Sequence, residues 1–198
     1  RARKVEDTRA DVNDETRFDN PAHRLTLRLM LPPSEAPEDA IARARRKAFV
    51  LYDGKLTPHR SCGIALAETF GLATAAYQSL RRGGITGNGE CGAIVAGRLV
   101  LGELLGDPDP QGPVTPELRA AMLEYEALVP QRIKRERAPG VSIVCNTLTG
   151  QFPQFNSPER LGFCTNLAAE VAAMVAEVAV QHGAQLNIGA IPGEEVGT

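Results

Sequence analysis

The sequence predicts a mainly α protein: a single helical-bundle domain of about six helices, residues 34–183, with an extended N-terminal arm, residues 1–33, and a loose C-terminal tail, residues 184–198. Three observations predict this fold. Apolar residues recur at helical spacing through most of the central region, and Ser/Thr–Pro cap signals precede two of these stretches. Only one short segment, Leu25–Leu31, alternates as a strand would. Pro32–Pro33 ends it, so we interpret it as an extended docking segment.

Composition excludes several classes of partner. The chain of 198 residues is 43% hydrophobic, which is enough for one domain with a real core. The net charge of −2 and the lack of aromatic residues within the basic clusters at 43–47 and 132–137 predict no nucleic-acid partner. No uninterrupted apolar run approaches the roughly 20 residues of a membrane span, and residues 1–20 lack the apolar centre of a signal peptide. We therefore expect no membrane span and a cytoplasmic location.

Cap and breaker residues predict the first half of the bundle. A first helix begins at Ser34 or at the Ala36–Pro37 step and ends at Gly54. A second, short helix covers Cys62 to Phe70. After an interruption at Gly71, residues 72–80 are predicted to continue as helix.

The second half begins with a strongly apolar helix from Cys91 through Leu105. Thr115–Pro116 opens the next helix, with a kink expected at Pro130. Residues 141–145, VSIVC, fit either a short strand or a buried helix turn. Ser157–Pro158 repeats the cap signal and opens the final helix, whose apolar residues continue until Gly183.

Four cysteines, each among small and apolar residues, are the main candidates for function: Cys62, Cys91, Cys145 and Cys164. Three of the four stand at predicted helix starts. Unpaired N–H groups and the positive end of the helix dipole favour a thiolate there, the form that binds metal or attacks a disulfide. We therefore expect the four cysteines to converge on one site.

The spacing of these cysteines bears on what the site holds. Two disulfides are disfavoured, because disulfide bonds mainly stabilise small secreted domains that have little hydrophobic core. Structural zinc sites usually use close CxxC pairs, and no two cysteines here are that near. A metal or redox role is favoured, while zinc, thiol–disulfide chemistry and four buried core cysteines stay open as alternatives.

The segment Gly87–Gly92, GNGECG, fits the pattern GxGxxG. A dinucleotide site would need a strand before it and a βαβ unit around it, and neither is predicted. We interpret the loop as one whose glycines let backbone N–H groups approach an anionic group at the head of the following helix. Close helix packing alone would also explain its glycines.

Four sequence features together resemble a known family. They are CGIALAE at Cys62, the glycine-rich loop before CGAIVAGRLVLGELLG at Cys91, Cys145 before a polar turn, and CTNLAAEVAAMVAE at Cys164. Over roughly Ser61 to Val180 they resemble the C_GCAxxG_C_C family of putative redox-active proteins, which is related to the cluster domain of split-Soret cytochromes. The loop departs from the family pattern, because GNGE stands where the family has more glycine.

The resemblance implies a helical domain in which Cys62, Cys91, Cys145 and Cys164 bind an iron–sulfur cluster or act as a redox-active thiol set. Four thiolates would complete the coordination of a 2Fe–2S or 4Fe–4S cluster. The expected function is electron transfer, with a redox partner protein or a homo-oligomer. No CxxCH occurs, so covalent haem is not expected. His59, three residues before Cys62, is interpreted as a loop-surface residue rather than a ligand.

Overall fold

The structure, a computed structural model, describes residues 36–134, 140 and 142–194. Six α-helices occur within these ranges, and no strand does, which confirms the mainly α single-domain prediction. The predicted N-terminal arm lies outside the described residues. The helices are α1 (Pro37–Asp53), α2 (Cys62–Thr69), α3 (Gly92–Leu105), α4 (Pro116–Arg132), α5 (Cys145–Thr149) and α6 (Pro158–Gln181), with a 3-10 helix at Ala76–Leu80.

Helix α6 forms the centre of the core. It packs against α1 over much of its length and also contacts α3, α4 and α2. Half of its residues are buried, and alanine and valine dominate this set, so neighbouring helices approach it closely. Ser157 caps it as the sequence predicts, since its hydroxyl accepts a hydrogen bond from the Arg160 N–H at 3.2 Å.

The same helix bears on the membrane prediction. By length and composition α6 could cross a membrane, because an 18-residue window in it has a mean hydropathy of 1.5. Glu170 and Glu177 interrupt the stretch, so a search for an uninterrupted apolar run misses it. Within the domain 67% of that window is buried, and the core helix of a soluble protein passes the same test. The absence of a membrane span therefore stays a prediction.

Helix α3 uses its small residues for close packing. Gly92, Ala93, Ala96 and Gly97 are all buried. Tyr125 of α4 is fully buried against this face, and its hydroxyl donates to the carbonyl oxygen of Ile94 at 2.9 Å. The small face of α3 thus gives a buried tyrosine both room and a hydrogen-bond acceptor.

Three segments differ in detail from the helices expected there. Residues 72–80 were expected to be helical throughout, but only Ala76–Leu80 forms a 3-10 helix. The VSIVC segment combines both expected possibilities, since Val144 forms a single β-bridge with Glu90 and α5 begins at Cys145. Pro130 lies inside α4, which continues to Arg132.

The described part of the C-terminal tail, residues 184–194, forms neither helix nor strand. It nevertheless contacts the domain, where Ala184 and Leu186 pack against the core. Ile188 is buried in the core, and Glu194 forms an ion pair with Arg46 of α1 at 2.6 Å.

Gly97→Ala should destabilise the protein. A Cβ at this position would lie 2.2 Å from the Tyr125 hydroxyl oxygen, and a fully buried tyrosine has little freedom to move away. Overpacking of this kind costs about 1–3 kcal/mol. Urea denaturation, with the free energy of unfolding as the readout, measures the loss.

Gly102→Ala is the matched control, because it makes the same substitution in the same helix where no atom lies within 4 Å of the new Cβ. Its better helix propensity should raise the free energy of unfolding by up to about 1 kcal/mol. If both variants were stabilised equally, the tight contact between α3 and Tyr125 would be refuted.

Candidate functional site

All four cysteines lie at one cavity of about 470 Å³. Cys62 is the first residue of α2, Cys91 the N-cap of α3 and Cys145 the first residue of α5, whereas Cys164 lies in the second turn of α6. None of them is in a disulfide. Four helices separated along the chain therefore bring their cysteines together.

Backbone pairing between two loops places Cys91 beside Cys145. The Cys91 N–H donates to the carbonyl oxygen of Ile143 at 2.7 Å, and the Cys145 N–H donates to that of Gly89 at 2.9 Å. The Asn146 N–H adds a bond to Gly87 at 2.8 Å. The first two of these bonds form the antiparallel Glu90–Val144 bridge, and all three determine the relative position of the two cysteines.

The pairing requires glycine. A Cβ on Gly83 would lie 2.5 Å from the Cβ of Cys145 and 2.6 Å from the carbonyl oxygen of Gly89. A Cβ on Gly87 would lie 2.1 Å from the side-chain oxygen of Asn146. The GxGxxG segment therefore allows two stretches of backbone to approach each other closely at the cysteines. No strand precedes it among the described residues.

The backbone around the cavity adopts unusual conformations. Residues 82–85 all have positive φ, from +49° to +70°, and the Ile85 N–H donates to the carbonyl oxygen of Arg81. Two of these residues are not glycine, and Ile85 is β-branched, which makes the left-handed conformation costly. Cys62 also has a positive φ, of +40°. Such strain, which persists only when the surrounding fold holds it, clusters at functional sites.

Three hydroxyl-bearing residues line the cavity; the Thr149 hydroxyl donates to the Cys145 carbonyl oxygen at 2.8 Å, and the other two are Tyr52 and Ser61. Hydrogen bonding by the Tyr52 side chain opposes the rise in the pKa of both Cys62 and Cys164. Burial raises the pKa of Tyr52, so this hydroxyl stays protonated and can donate. The Ser61 hydroxyl oxygen is buried and has no hydrogen-bond partner. Because a buried polar group rarely stays unpaired, Ser61 indicates that the cavity accommodates a further group.

Three arginines lie around the same cavity: Arg81, Arg82 and Arg160. Arg82 and Arg160 both contact the ring of Phe155, with guanidinium carbons 4.6 Å and 4.2 Å from its centroid. Hydrogen bonding by Arg160, one helical turn earlier, also opposes the rise in the pKa of Cys164. The only carboxylate among the cavity-lining residues, Asp53, is paired with Lys55 at 3.0 Å. The cavity is therefore positively charged when its cysteines are neutral.

Burial raises the pKa of all four thiols, and that of Cys145 reaches about 11. Hydrogen bonds from the N–H groups of Ala93 and Ile94 to Cys91, and from the Arg82 N–H to Cys62, act in the opposite direction but are weaker. The thiolates expected from helix position alone are thus not the resting form of the free cysteines. Burial removes the water that would solvate the charge, and this outweighs the helix N-termini.

The four cysteines do not form a site for a single metal ion. Among the described residues, no group of three or more His, Cys, Asp or Glu side chains is arranged to hold one. A closed zinc site needs four ligand atoms within about 2.3 Å of one ion.

Three titratable side chains near the cysteines in sequence have structural partners. His59 lines the cavity edge, packs edge-on against Tyr52 and donates from Nδ1 to the Tyr52 carbonyl oxygen. Glu68 forms an ion pair with Arg60, and Glu90 forms one with Arg98. Neither carboxylate lines the cavity.

Sequence reasoning missed most of the polar residues of this site. Arg160 could have been found, since it precedes Cys164 by four residues and so lies on the same helix face. Tyr52 has the spacing of an ordinary core residue, which hides its contact with two cysteines. Arg82 and Phe155 are in loops, where no periodicity indicates direction.

The folded, cofactor-free protein should react with iodoacetamide only at unusually high pH. Thiolate is the reactive form, and burial raises the pKa of Cys145 to about 11, so its rate should rise steeply between pH values of about 9 and 11. Peptide mass spectrometry at a series of pH values gives the pH of half-maximal rate for each cysteine.

The control is the same protein unfolded in guanidinium, whose thiols should regain a pKa near about 8.5. Restricted access alone would slow the reaction without moving the pH of half-maximal rate. An unchanged midpoint in the folded protein would therefore contradict the effect of burial.

Comparison with protein-family models, with curated proteins and with solved structures found no match to this chain. The resemblance to the four-cysteine redox family thus rests on the sequence motifs alone.

Proposed function

We propose that this protein binds an iron–sulfur cluster through Cys62, Cys91, Cys145 and Cys164 and transfers single electrons. One observation carries the proposal: four cysteines from four separate helices line one cavity. Four buried cysteines that merely filled the core would have no reason to share an opening with arginines and hydroxyl groups. The function is also the one that the family resemblance implies.

The donor set of the cavity fits such a group. Four thiolates are the common ligand set of iron–sulfur clusters. N–H groups of Arg82, Ala93 and Ile94 are directed at two of the sulfurs, and the Tyr52 hydroxyl reaches two. Hydrogen bonds of this kind stabilise charge on ligand sulfur. The unpaired Ser61 hydroxyl supplies one further donor.

A bound cluster would supply a centre that accepts and releases one electron. The residues of the chain provide its surroundings. Each cysteine loses its thiol proton on binding, and Arg81, Arg82 and Arg160 offset the negative charge that then appears. The buried walls limit access of water to the centre. Tyr52, whose hydroxyl stays protonated, is positioned to hydrogen-bond two of the ligand sulfurs.

Thiol–disulfide exchange with the same cysteines is the alternative function. Enzymes of that class lower the pKa of their attacking cysteine, because thiolate is the nucleophile. Here burial raises the pKa of all four thiols. The raised pKa values therefore favour metal ligands, which lose their proton only when metal binds. They disfavour a nucleophilic cysteine, which must be a thiolate before it reacts.

Anaerobically purified or reconstituted protein should be brown, with broad absorbance near about 400 nm that bleaches with dithionite. Cys62→Ser should lose most of its iron and colour, because a ligand is removed. Iron and sulfide analysis per chain, together with the visible spectrum, measures both effects.

Thr69→Ser is the matched control. It also places a serine in α2, and serine keeps the hydrogen bond from the Thr69 hydroxyl to the Ala65 carbonyl oxygen. This variant should retain iron. A wild-type protein that takes up neither iron nor sulfide would refute the proposal, and if it instead reduced a test disulfide, the alternative function would be supported.

Tyr52→Phe should move the reduction potential of the bound cluster to a more negative value. The variant removes a hydroxyl that donates to the sulfurs of Cys62 and Cys164, and such donors favour the reduced, more negatively charged state. A potentiometric titration followed by absorbance measures the midpoint.

Tyr77→Phe makes the same change at a buried tyrosine whose hydroxyl has no partner and which does not line the cavity. Its midpoint should match that of the wild type. Equal shifts in both variants would mean that the Tyr52 hydroxyl has no specific effect on the site.

A further inference from the structure

The mouth of the cysteine cavity carries a patch that combines three arginines with two exposed apolar side chains. It consists of Arg81, Arg82, Ile85, Phe155 and Arg160, and we name it the arginine patch. Ile85 is 59% exposed and Phe155 37% exposed, which is high for large apolar side chains. Four of the five residues, all except Ile85, also line the cavity, so the patch adjoins the cysteines directly.

The charges of the patch are not neutralised within the domain. Among the described residues, none of its three arginines forms an ion pair with a carboxylate. Three arginines elsewhere, Arg60, Arg98 and Arg132, are each paired with at least one glutamate. In a chain with a net charge of −2, this is a local concentration of positive charge.

The backbone under the patch is strained in a way that packing within the domain does not explain. Ile85 has a φ of +70° although it is β-branched, and its side chain is exposed rather than buried in the core. Exposed apolar area rimmed by charge is typical of protein interaction sites. A strained loop that presents such a side chain at a site is consistent with a binding role.

We propose that the arginine patch docks an acidic electron-carrier protein, whose carboxylates pair with Arg81, Arg82 and Arg160 and whose apolar surface contacts the exposed Ile85 and Phe155. This inference names the partner class and rests on the proposed electron-transfer function. Docking here brings a partner's redox centre to the mouth of the cysteine cavity. Opposite charge around an apolar centre orients the encounter and speeds association.

A protein partner fits the patch better than a single-stranded nucleic acid does. Proteins that bind single strands offer open aromatic faces on which bases stack. The Phe155 ring is already contacted by two guanidinium groups, within 4.6 Å of its centroid. The exposed Ile85 side chain can contact an apolar protein surface, but it has no aromatic ring on which a base could stack.

The test measures binding of the full-length protein to a plant-type ferredoxin, used as an acidic probe, by isothermal titration at low and high ionic strength. Wild-type protein should bind, and salt should weaken the binding. The double variant Arg81→Gln/Arg82→Gln should raise Kd about three- to tenfold, since each pair at an interface rim contributes modestly. Arg119→Gln, an exposed arginine of α4 that does not line the cavity, should leave Kd unchanged.

Ile85→Gly tests the apolar part of the patch. Glycine adopts a φ of +70° without strain, so this variant should keep the fold while it weakens ferredoxin binding. Circular dichroism and thermal unfolding establish that the fold is intact.

Three results would overturn the proposal. No binding by the wild type, or equal Kd values for the wild type and Arg81→Gln/Arg82→Gln, would overturn the proposal. Equally tight binding of a single-stranded DNA oligomer would also overturn it, in favour of a general polyanion surface. Iron content and the visible spectrum are measured on the same samples, and the cofactor-free protein should bind ferredoxin as well. Failure of docking is thereby separated from failure of the cluster.

Discussion

The backbone pairing between residues 87–91 and 143–146 is the constraint on which the site depends. Among the described residues, three backbone hydrogen bonds and one side-chain hydrogen bond, from Asn146 to Asn88, join the two loops, and two of the backbone bonds form the Glu90–Val144 β-bridge. They nevertheless bring Cys91 and Cys145 to the same cavity, although 53 residues separate the two in sequence and they begin different helices. The pairing is possible because Gly83 and Gly87 lack a Cβ that would collide with Cys145 and Asn146. Loss of either glycine would therefore affect the cavity more than the helices.

Helix α6 connects this cavity to the core. Its buried alanine and valine residues pack against α1 and α3, while its first turns carry Arg160 and Cys164 into the cavity. Core packing and site geometry thus share one rigid element. Two of the other three cysteines, Cys62 and Cys91, stand at the starts of α2 and α3, which pack against each other and contact α6. Rigid supports of this kind hold ligands in place before a group binds.

The electrostatics of the cavity are unbalanced in the free protein. Burial keeps the four thiols neutral, and the three arginines at the cavity have no carboxylate partners among the described residues. In the proposed cluster site, the thiols would become thiolates on binding the metal group, and the nearby arginines would offset part of their negative charge. The proposed cluster site and the arginine patch are therefore two consequences of the same uncompensated charge.

Local sequence patterns determined the helices and most of their ends. Apolar spacing, the caps at Ser157 and Thr115, and the breaker at Gly54 depend on neighbours within one or two turns, so they can be read along the chain. Tertiary contacts decided the rest. They reduced residues 72–80 to a short 3-10 helix, joined VSIVC to the glycine loop, and placed Tyr52, Arg82 and Phe155 at the cysteines. The sequence identified the four cysteines as candidate site residues. Their shared cavity and their neutral resting form depend on burial, which arises only when separate helices pack together.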